Sequence, residues 1–347
     1  MTNHGITRTM SHQYIERVSG EVRTERFLGD CLINLIYSNV REKMPVLYNA
    51  LISSRISEIL SFINYDLPLG ARLTGAQNLL RKLGVDLNEC VEPASRLNTA
   101  RKIFERQIKY WLCRSMPQDD AVVVSPADAK MLVGSMAQDT HLFIKEKFFS
   151  FKDLLGANKT AWLKTFEGGD FAVFRLTPEK YHYNHVPVTG TVADIYEIPG
   201  YYHSCNPSAI ISEVTPYSRN KRVITVINTD VEGGSRIGLV AMIEIVALMI
   251  GNISQRYSEY RYENPAPVKP HMRLIKGQPK SLYLPGSSVD VLLFQKNRIT
   301  FDADILFNLH RQEAQSRFLS GFQKPLVETE VSARSSVAQR KTIGGCG

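Results

Sequence analysis

Residues 284–295 read Leu-Pro-Gly-Ser-Ser-Val-Asp-Val-Leu-Leu-Phe-Gln. The plain reading is a tight turn that launches an apolar strand. Runs of the same texture recur upstream: AVVVSP at 121–126, FAVFRL at 171–176 and RVITVIN at 222–228. They alternate with Gly, Pro, Asp and Ser from Pro117 onward, which predicts a β-rich body from about residue 118 to 310.

Ahead of that body the period changes. Phe27, Leu28, Cys31, Leu32, Leu35 and Ile36 share one helical face, and Leu51, Ile52, Ile56, Ile59 and Leu60 repeat it, which predicts helix over 24–63. The stretch NYDLPLG at 64–70 breaks the pattern. A third helix is expected from about Leu97 to Cys113, with Leu97, Ala100, Ile103, Phe104, Ile108, Trp111 and Leu112 on its apolar face. Its other face carries Arg96, Arg101, Lys102, Arg106 and Lys109. That face reads as solvated, with contact to an anionic membrane as the alternative. Residues 1–20 and the polar segment VSARSSVAQRKTIGGCG at 331–347 read as flexible tails.

The 347 residues, 44% apolar and 22% charged, suit a soluble globular chain with a sizeable core. The formal net charge of +8 favours acidic partners such as anionic membranes, nucleic acid or anionic substrates. The basic residues are dispersed, and no zinc-finger spacing or aromatic RNA-binding signature is present, so nucleic acid is disfavoured. Five cysteines without Cys-x-x-Cys spacing argue against a disulfide framework and suit a reducing, cytoplasmic setting. The N-terminus is polar and is not a signal peptide. The apolar run IGLVAMIEIVALMIGNI at 237–253 is short for a membrane span and carries Glu244 in its middle, so it reads as buried core.

Several residues are chemically suggestive. His182 and His185 follow a predicted strand, three apart. An extended backbone would point them to opposite faces, and a turn would bring them together. The spacing resembles part of a metal site, but no matching ligands sit nearby in sequence, so no metal is implied. Taken alone, they read equally well as polar loop residues. Asp128 sits in a Pro-containing turn, where aspartate usually caps backbone N–H groups. Arg219, Asn220 and Arg222 stand at the mouth of a strand, where an arginine can hold a carboxylate or phosphate or simply face solvent.

The order of these stretches is more specific than any one of them. SPAD at 125–128, LTPEKYHYNH at 176–185, CNP at 205–207, RNKR at 219–222 and PGSS at 285–288 together resemble the phosphatidylserine decarboxylase family. The resemblance covers roughly residues 100–296. It implies a proenzyme that cuts itself between Gly286 and Ser287, leaving a β chain of 1–286 and an α chain of 287–347. The serine hydroxyl attacks the glycine carbonyl, which no side chain obstructs, and the amide becomes an ester. β-Elimination and hydrolysis then release ammonia and leave a pyruvoyl group derived from Ser287. That group is a built-in cofactor whose ketone forms a Schiff base with the substrate amine and acts as an electron sink.

By the same resemblance His185 is the base that activates Ser287, Asp128 orients it, and His182 serves the decarboxylation step. Tyr181, Asn206, Arg219 and Arg222 are candidate substrate-binding residues. The implied architecture is α+β: a flexible tail (1–20), a helical N-terminal domain (21–95), a β-rich, partly barrel-like catalytic domain (96–315) and a C-terminal tail (316–347). The implied reaction converts phosphatidylserine to phosphatidylethanolamine and CO2 at a membrane surface, with the enzyme peripheral on that membrane and a homodimer in keeping with the family.

The chain also departs from the family pattern. Lys180 stands where many phospholipid-acting members have aspartate, Tyr183 where they have arginine, and Ala241 and Glu244 interrupt the usual Val-Gly-Ala strand. These changes raise two alternatives. One is a pyruvoyl-dependent decarboxylase of a soluble amino acid, an aromatic one in fungal relatives of the longer architecture. The other is a non-catalytic membrane- or partner-binding relative.

Overall fold

The apolar run that follows the Gly-Ser-Ser stretch forms the central strand of the protein. In the computed structural model, which describes residues 11–25, 84–136, 148–203, 207, 210, 215–247, 252–285, 288–318 and 325–341, Ser288–Phe294 is β13 and all seven of its residues are buried. Burial on both faces is why the run is mostly apolar, Ser288 and Asp290 aside, rather than alternating. Its neighbours are β5 (Asp170–Leu176) and β9 (Leu239–Val246), both antiparallel to it. The segment 237–253 therefore contributes a buried strand, and no helix among the described residues is long and apolar enough to cross a membrane.

The remaining strands are β1 (Gln13–Glu16), β2 (Val22–Thr24), β3 (Val122–Val124), β4 (Ala129–Ser135), β6 (Tyr183–His185), β7 (Gly190–Ile198), β8 (Arg222–Asn228), β10 (Ile253–Gln255), β11 (Arg273–Leu274), β12 (Pro279–Tyr283), β14 (Ile299–Phe301), β15 (Glu328–Val331) and β16 (Ser336–Arg340). Among the described residues they build one ten-stranded sheet in the order β11-β7-β8-β9-β13-β5-β4-β15-β1-β2. Two three-stranded sheets, β10-β12-β6 and β14-β16-β3, accompany it. The large sheet does not close on itself, so the expected partly barrel-like body is an open sheet instead. Among the described residues few helices accompany it: α1 (Ala100–Phe104), α2 (Tyr110–Cys113), α3 (Phe151–Leu155), α4 (Thr160–Phe166), α5 (Pro216–Arg219) and α6 (Ala303–Asn308). The described residues are thus mainly β, and α+β describes them only loosely. The helices expected over 24–63 lie outside the described residues, apart from Thr24 and Glu25 at the first end, and Thr24 closes a strand.

Three expectations are corrected. The helix expected over 97–113 is two short helices, because the residues between them pair elsewhere: Val91 N–H donates to Gln107 O, Lys109 N–H donates to Glu89 O, and Ile108 bridges Cys90. Arg106, expected on a solvated face, is buried and donates to the carbonyls of Ile103 and Glu179. The two supposed tails also contain strands. β1 pairs in parallel with β15 inside the large sheet, and β16 is the central strand of its own sheet.

A buried ion-pair cluster ties these terminal strands to the body. Arg175 on β5 donates to both Glu25 and Glu328, Lys130 on β4 approaches Glu25 at 3.3 Å, and His12 bonds Glu328 at 2.8 Å. The three ligand-type groups His12, Glu25 and Glu328 converge as a metal site would. Two cationic side chains already compensate both carboxylates there, so the cluster reads as a structural ion-pair network.

Candidate active site

β6 carries the Tyr-His-x-x-His stretch into the middle of the site. It pairs with β12 in the register Tyr183↔Leu282 and Asn184↔Ser281, and Tyr283 N–H donates to the carbonyl of His182 at 3.1 Å. β12 ends three residues before Gly286, and β13 begins one residue after Ser287. Gly286 and Ser287 themselves lie outside the described residues. The bond between them is nevertheless bracketed by a strand ending beside His182 and by the central strand of the large sheet.

Both histidines are fully buried, and their surroundings differ. His185 Nδ1 lies 2.9 Å from the carbonyl oxygen of Gly277, which can only accept, so Nδ1 carries the proton. Nε2 then presents its lone pair and accepts from the Tyr181 hydroxyl at 3.0 Å. Tyr181 OH is in turn 2.7 Å from Tyr262 OH. Burial pushes the His185 pKa down to about 4, which keeps the ring neutral. His182 stacks on Phe104 with ring centroids 3.6 Å apart. Among the described residues neither of its ring nitrogens has a well-formed hydrogen bond. Burial, with Arg106 nearby, holds it well below the usual imidazole range. The site therefore contains two neutral imidazoles. One is fixed in a single tautomer, and the other has only a weak interaction with the Lys180 backbone.

Asp128 lies at the start of β4, but the expected hydrogen bond to His185 is not made. Arg114 grips its carboxylate, with Nε to Oδ1 at 2.9 Å and Nη2 to Oδ2 at 2.7 Å, and Ala333 N–H adds a bond at 2.8 Å. Burial works to raise this carboxyl, and the Arg114 guanidinium more than offsets it, so Asp128 stays ionised. The Gly277 carbonyl orients His185 in its place. Of the other candidates, Tyr181 joins the histidine directly. Arg222 is buried and spends its guanidinium on the carbonyls of Leu154, Asn220 and Asp153. Arg219 is exposed at the end of α5. Asn206 lies outside the described residues. Asn220, between the two arginines, ties His203 to the end of β9 through three side-chain hydrogen bonds.

Sequence reasoning noted Glu244 only as unusual and passed over its partners. Glu244 is fully buried, and Lys280 Nζ approaches its Oε2 at 2.6 Å. Gln255, Asn184 and Ser281 also bond the carboxylate. One side chain of the large sheet thus anchors all three strands of the smaller one. Opposite it on β13, Asp290 accepts from Tyr283 OH at 2.7 Å. Burial first, and then the charge of Glu244, raise the Asp290 pKa well above its ordinary value, which favours the protonated acid. The signal for this cluster was the presence of charged residues within otherwise apolar strands.

Sequence comparisons point to one family. A sequence model of the phosphatidylserine decarboxylase family matches residues 100–311. The chain is 28% identical over 297 residues to a phosphatidylserine decarboxylase proenzyme of Fusobacterium nucleatum, covering 85% of this chain and 91% of that protein. It is 30% identical over 305 residues to the proenzyme of Chlamydia trachomatis, covering 84% and 90%. It is 32% identical over 231 residues to proenzyme 2 of Oryza sativa, covering 65% of this chain and 34% of the plant protein. The matched span holds Asp128, both histidines and the Gly-Ser-Ser stretch, and the chain belongs to the phosphatidylserine decarboxylase family.

Proposed function

We propose that this chain is a proenzyme that cuts itself at Gly286–Ser287 and then converts phosphatidylserine to phosphatidylethanolamine and CO2. The observation that carries this reading is the pairing of β6 with β12, which sets two buried, neutral histidines beside the strand that leads into Gly286. His185 holds the tautomer a general base requires, with its lone pair on Nε2, and the Tyr181 hydroxyl now fills the position that a serine hydroxyl would take. Asp128 contributes a fixed negative charge within reach of both rings, and Arg114 holds it.

Orphaned polar groups fit the site to a pyruvoyl group made from Ser287. The two nitrogens of His182, Ser288 Oγ and Asp290 Oδ2 are buried without hydrogen-bond partners among the described residues. Such a group supplies an electron sink for decarboxylation. His182 is the residue proposed to move a proton at the carbon that loses CO2, because neither ring nitrogen has a well-formed hydrogen bond. The proposed setting is peripheral, at a membrane containing the lipid substrate.

The test is the intact mass of the purified, denatured protein, followed by CO2 release from phosphatidylserine and from free amino acids. Two chains ending at Gly286 and starting with a pyruvoyl group at 287, with turnover of the lipid, support the proposal. A single chain of 347 residues that stays uncut overturns it. A second reading places the cut one residue later, at Ser287–Ser288, because Ser288 Oγ is buried and unpartnered at the first position of β13. The masses of the two chains, shifted by one serine residue, separate these readings.

A further inference from the structure

Position 183 carries a tyrosine, and the structure sets an arginine, Arg256, beside its hydroxyl. A cavity of about 240 Å³ is lined by Gln107, Tyr183, Arg256, Tyr262 and Pro265. Tyr183 and Tyr262 form its inner wall. Tyr262 is two hydrogen bonds from His185 through Tyr181, so this wall is continuous with the histidine site. Arg256 and Pro265 are exposed and stand at the mouth. The Arg256 guanidinium reaches the Tyr183 hydroxyl, which also accepts from Gln107 Nε2 at 3.2 Å.

The surface around the mouth is apolar and aromatic. Leu112, in α2, is 76% exposed, and Tyr260 is 57% exposed. Arg261 stacks over Trp111 at 4.2 Å and over Tyr260 at 4.9 Å, and Trp111 packs edge-on against Tyr262 of the cavity wall. The loop is built to hold these rings outward: Ser258 Oγ is hydrogen-bonded to the carbonyls of both Tyr260 and Glu263, Tyr257 pairs with Ala266, and Arg261 adopts a left-handed φ of 53°. Glu259 and Glu263 balance Arg256 and Arg261 in this loop. Attachment therefore rests on the apolar and aromatic groups, which suit the headgroup boundary of a bilayer, and anion selection rests on Arg256.

We infer that this cavity receives the phosphodiester of a membrane phospholipid on Arg256, while Leu112, Trp111 and Tyr260 seat the protein in the bilayer surface around it. The inference rests on the lipid reading of the proposed function. A phosphate suits Arg256 better than the carboxylate that departs as CO2. An arginine on that carboxylate would stabilise the ground state and lose its partner as the reaction proceeds.

Two measurements on the full-length protein test this. Calorimetry compares glycerophosphoserine with serine, which lacks the phosphodiester. The wild type is expected to bind the former more tightly by roughly tenfold, and R256Q to erase the difference while R256K keeps part of it. Sedimentation with phosphatidylserine–phosphatidylcholine vesicles compares the wild type with an L112E/Y260E double variant. The double variant is expected to lose at least tenfold in vesicle binding while binding glycerophosphoserine as the wild type does. A headgroup preference that survives R256Q, or vesicle binding that survives L112E/Y260E, overturns the inference. Neither measurement depends on turnover. A wild type that binds as expected but releases no CO2 from the lipid would overturn the proposed function and leave this site standing.

Discussion

Lys280 Nζ lies 2.6 Å from Glu244 Oε2, and neither side chain has any exposure to solvent. A buried pair of this kind adds little against an apolar replacement, but breaking it leaves an uncompensated charge, at a cost of about 3–5 kcal/mol. Here the pair also sets the position of β12, the strand that runs into Gly286. K280M and E244A are each expected to lower the unfolding free energy by that order and to leave most of the chain uncut. The K280M/E244L double variant, which removes both charges, is expected to regain much of the stability. Denaturant unfolding gives the first quantity and the cut fraction on a denaturing gel the second. Full cleavage in K280M would show that β12 needs no such anchor.

The depressed pKa of His185 makes stability depend on pH. The unfolded ring takes a proton near 6.5, and the folded ring does so only near 4. Between these values the unfolded state binds more protons, so stability falls as pH drops through that window, by up to roughly 3 kcal/mol from this group. His182 adds in the same direction. Urea midpoints measured from pH 7.5 to 4.5 are expected to fall steadily, and H185Q is expected to flatten part of that slope. An unchanged slope in H185Q would assign the acid sensitivity elsewhere.

The sequence made the β-rich body legible because its central strands are buried on both faces and read as apolar runs, with Val291–Phe294 the clearest case. It misread the segment around 331–347 because Ser336–Arg340 is polar and is held by pairing with β3 and β14, far away in sequence. The 97–113 segment has helical spacing throughout, but pairing of Gln107–Lys109 with Glu89–Val91 breaks it, and no local periodicity reports a tertiary competitor. The spacing of the histidines is legible in the sequence, but their environment follows from strand register, which sequence does not give. Asp128 reads as a turn cap or as the partner of His185, and nothing in the sequence marks Arg114, fourteen residues upstream, as the group that closes on it.

Asp290 offers a test of its protonation. Its folded pKa is raised, so the unfolded state ionises near the ordinary carboxylate value while the folded state keeps its proton. Stability contributed by this group is complete at pH below that value and is lost as pH rises. Asparagine preserves the shape and the acceptor for Tyr283 OH without an ionisable proton. D290N is expected to raise the thermal midpoint by several degrees at pH 7.5 and to change it little at pH 4. Equal shifts at both pH values would indicate a packing effect and remove the protonated-acid reading.

Gly277 couples backbone conformation to the base. Its φ is +77°, its N–H donates to Val186 O at 2.8 Å, and its carbonyl fixes the His185 tautomer. A Cβ at this position would be strained by φ and would overlap the Met116 sulfur. G277A is therefore expected to tilt or release the carbonyl and free Nδ1 to exchange its proton with Nε2. Self-cleavage should slow by about tenfold or more, the scale on which a positioned base contributes. The second change, M116A, removes the sulfur that the new methyl would strike, but not the φ strain. G277A/M116A should recover stability more than cleavage rate. If the double variant cleaves at the wild-type rate, the Gly277 carbonyl does not orient the base, and a direct role for Asp128 on His185 returns to first place.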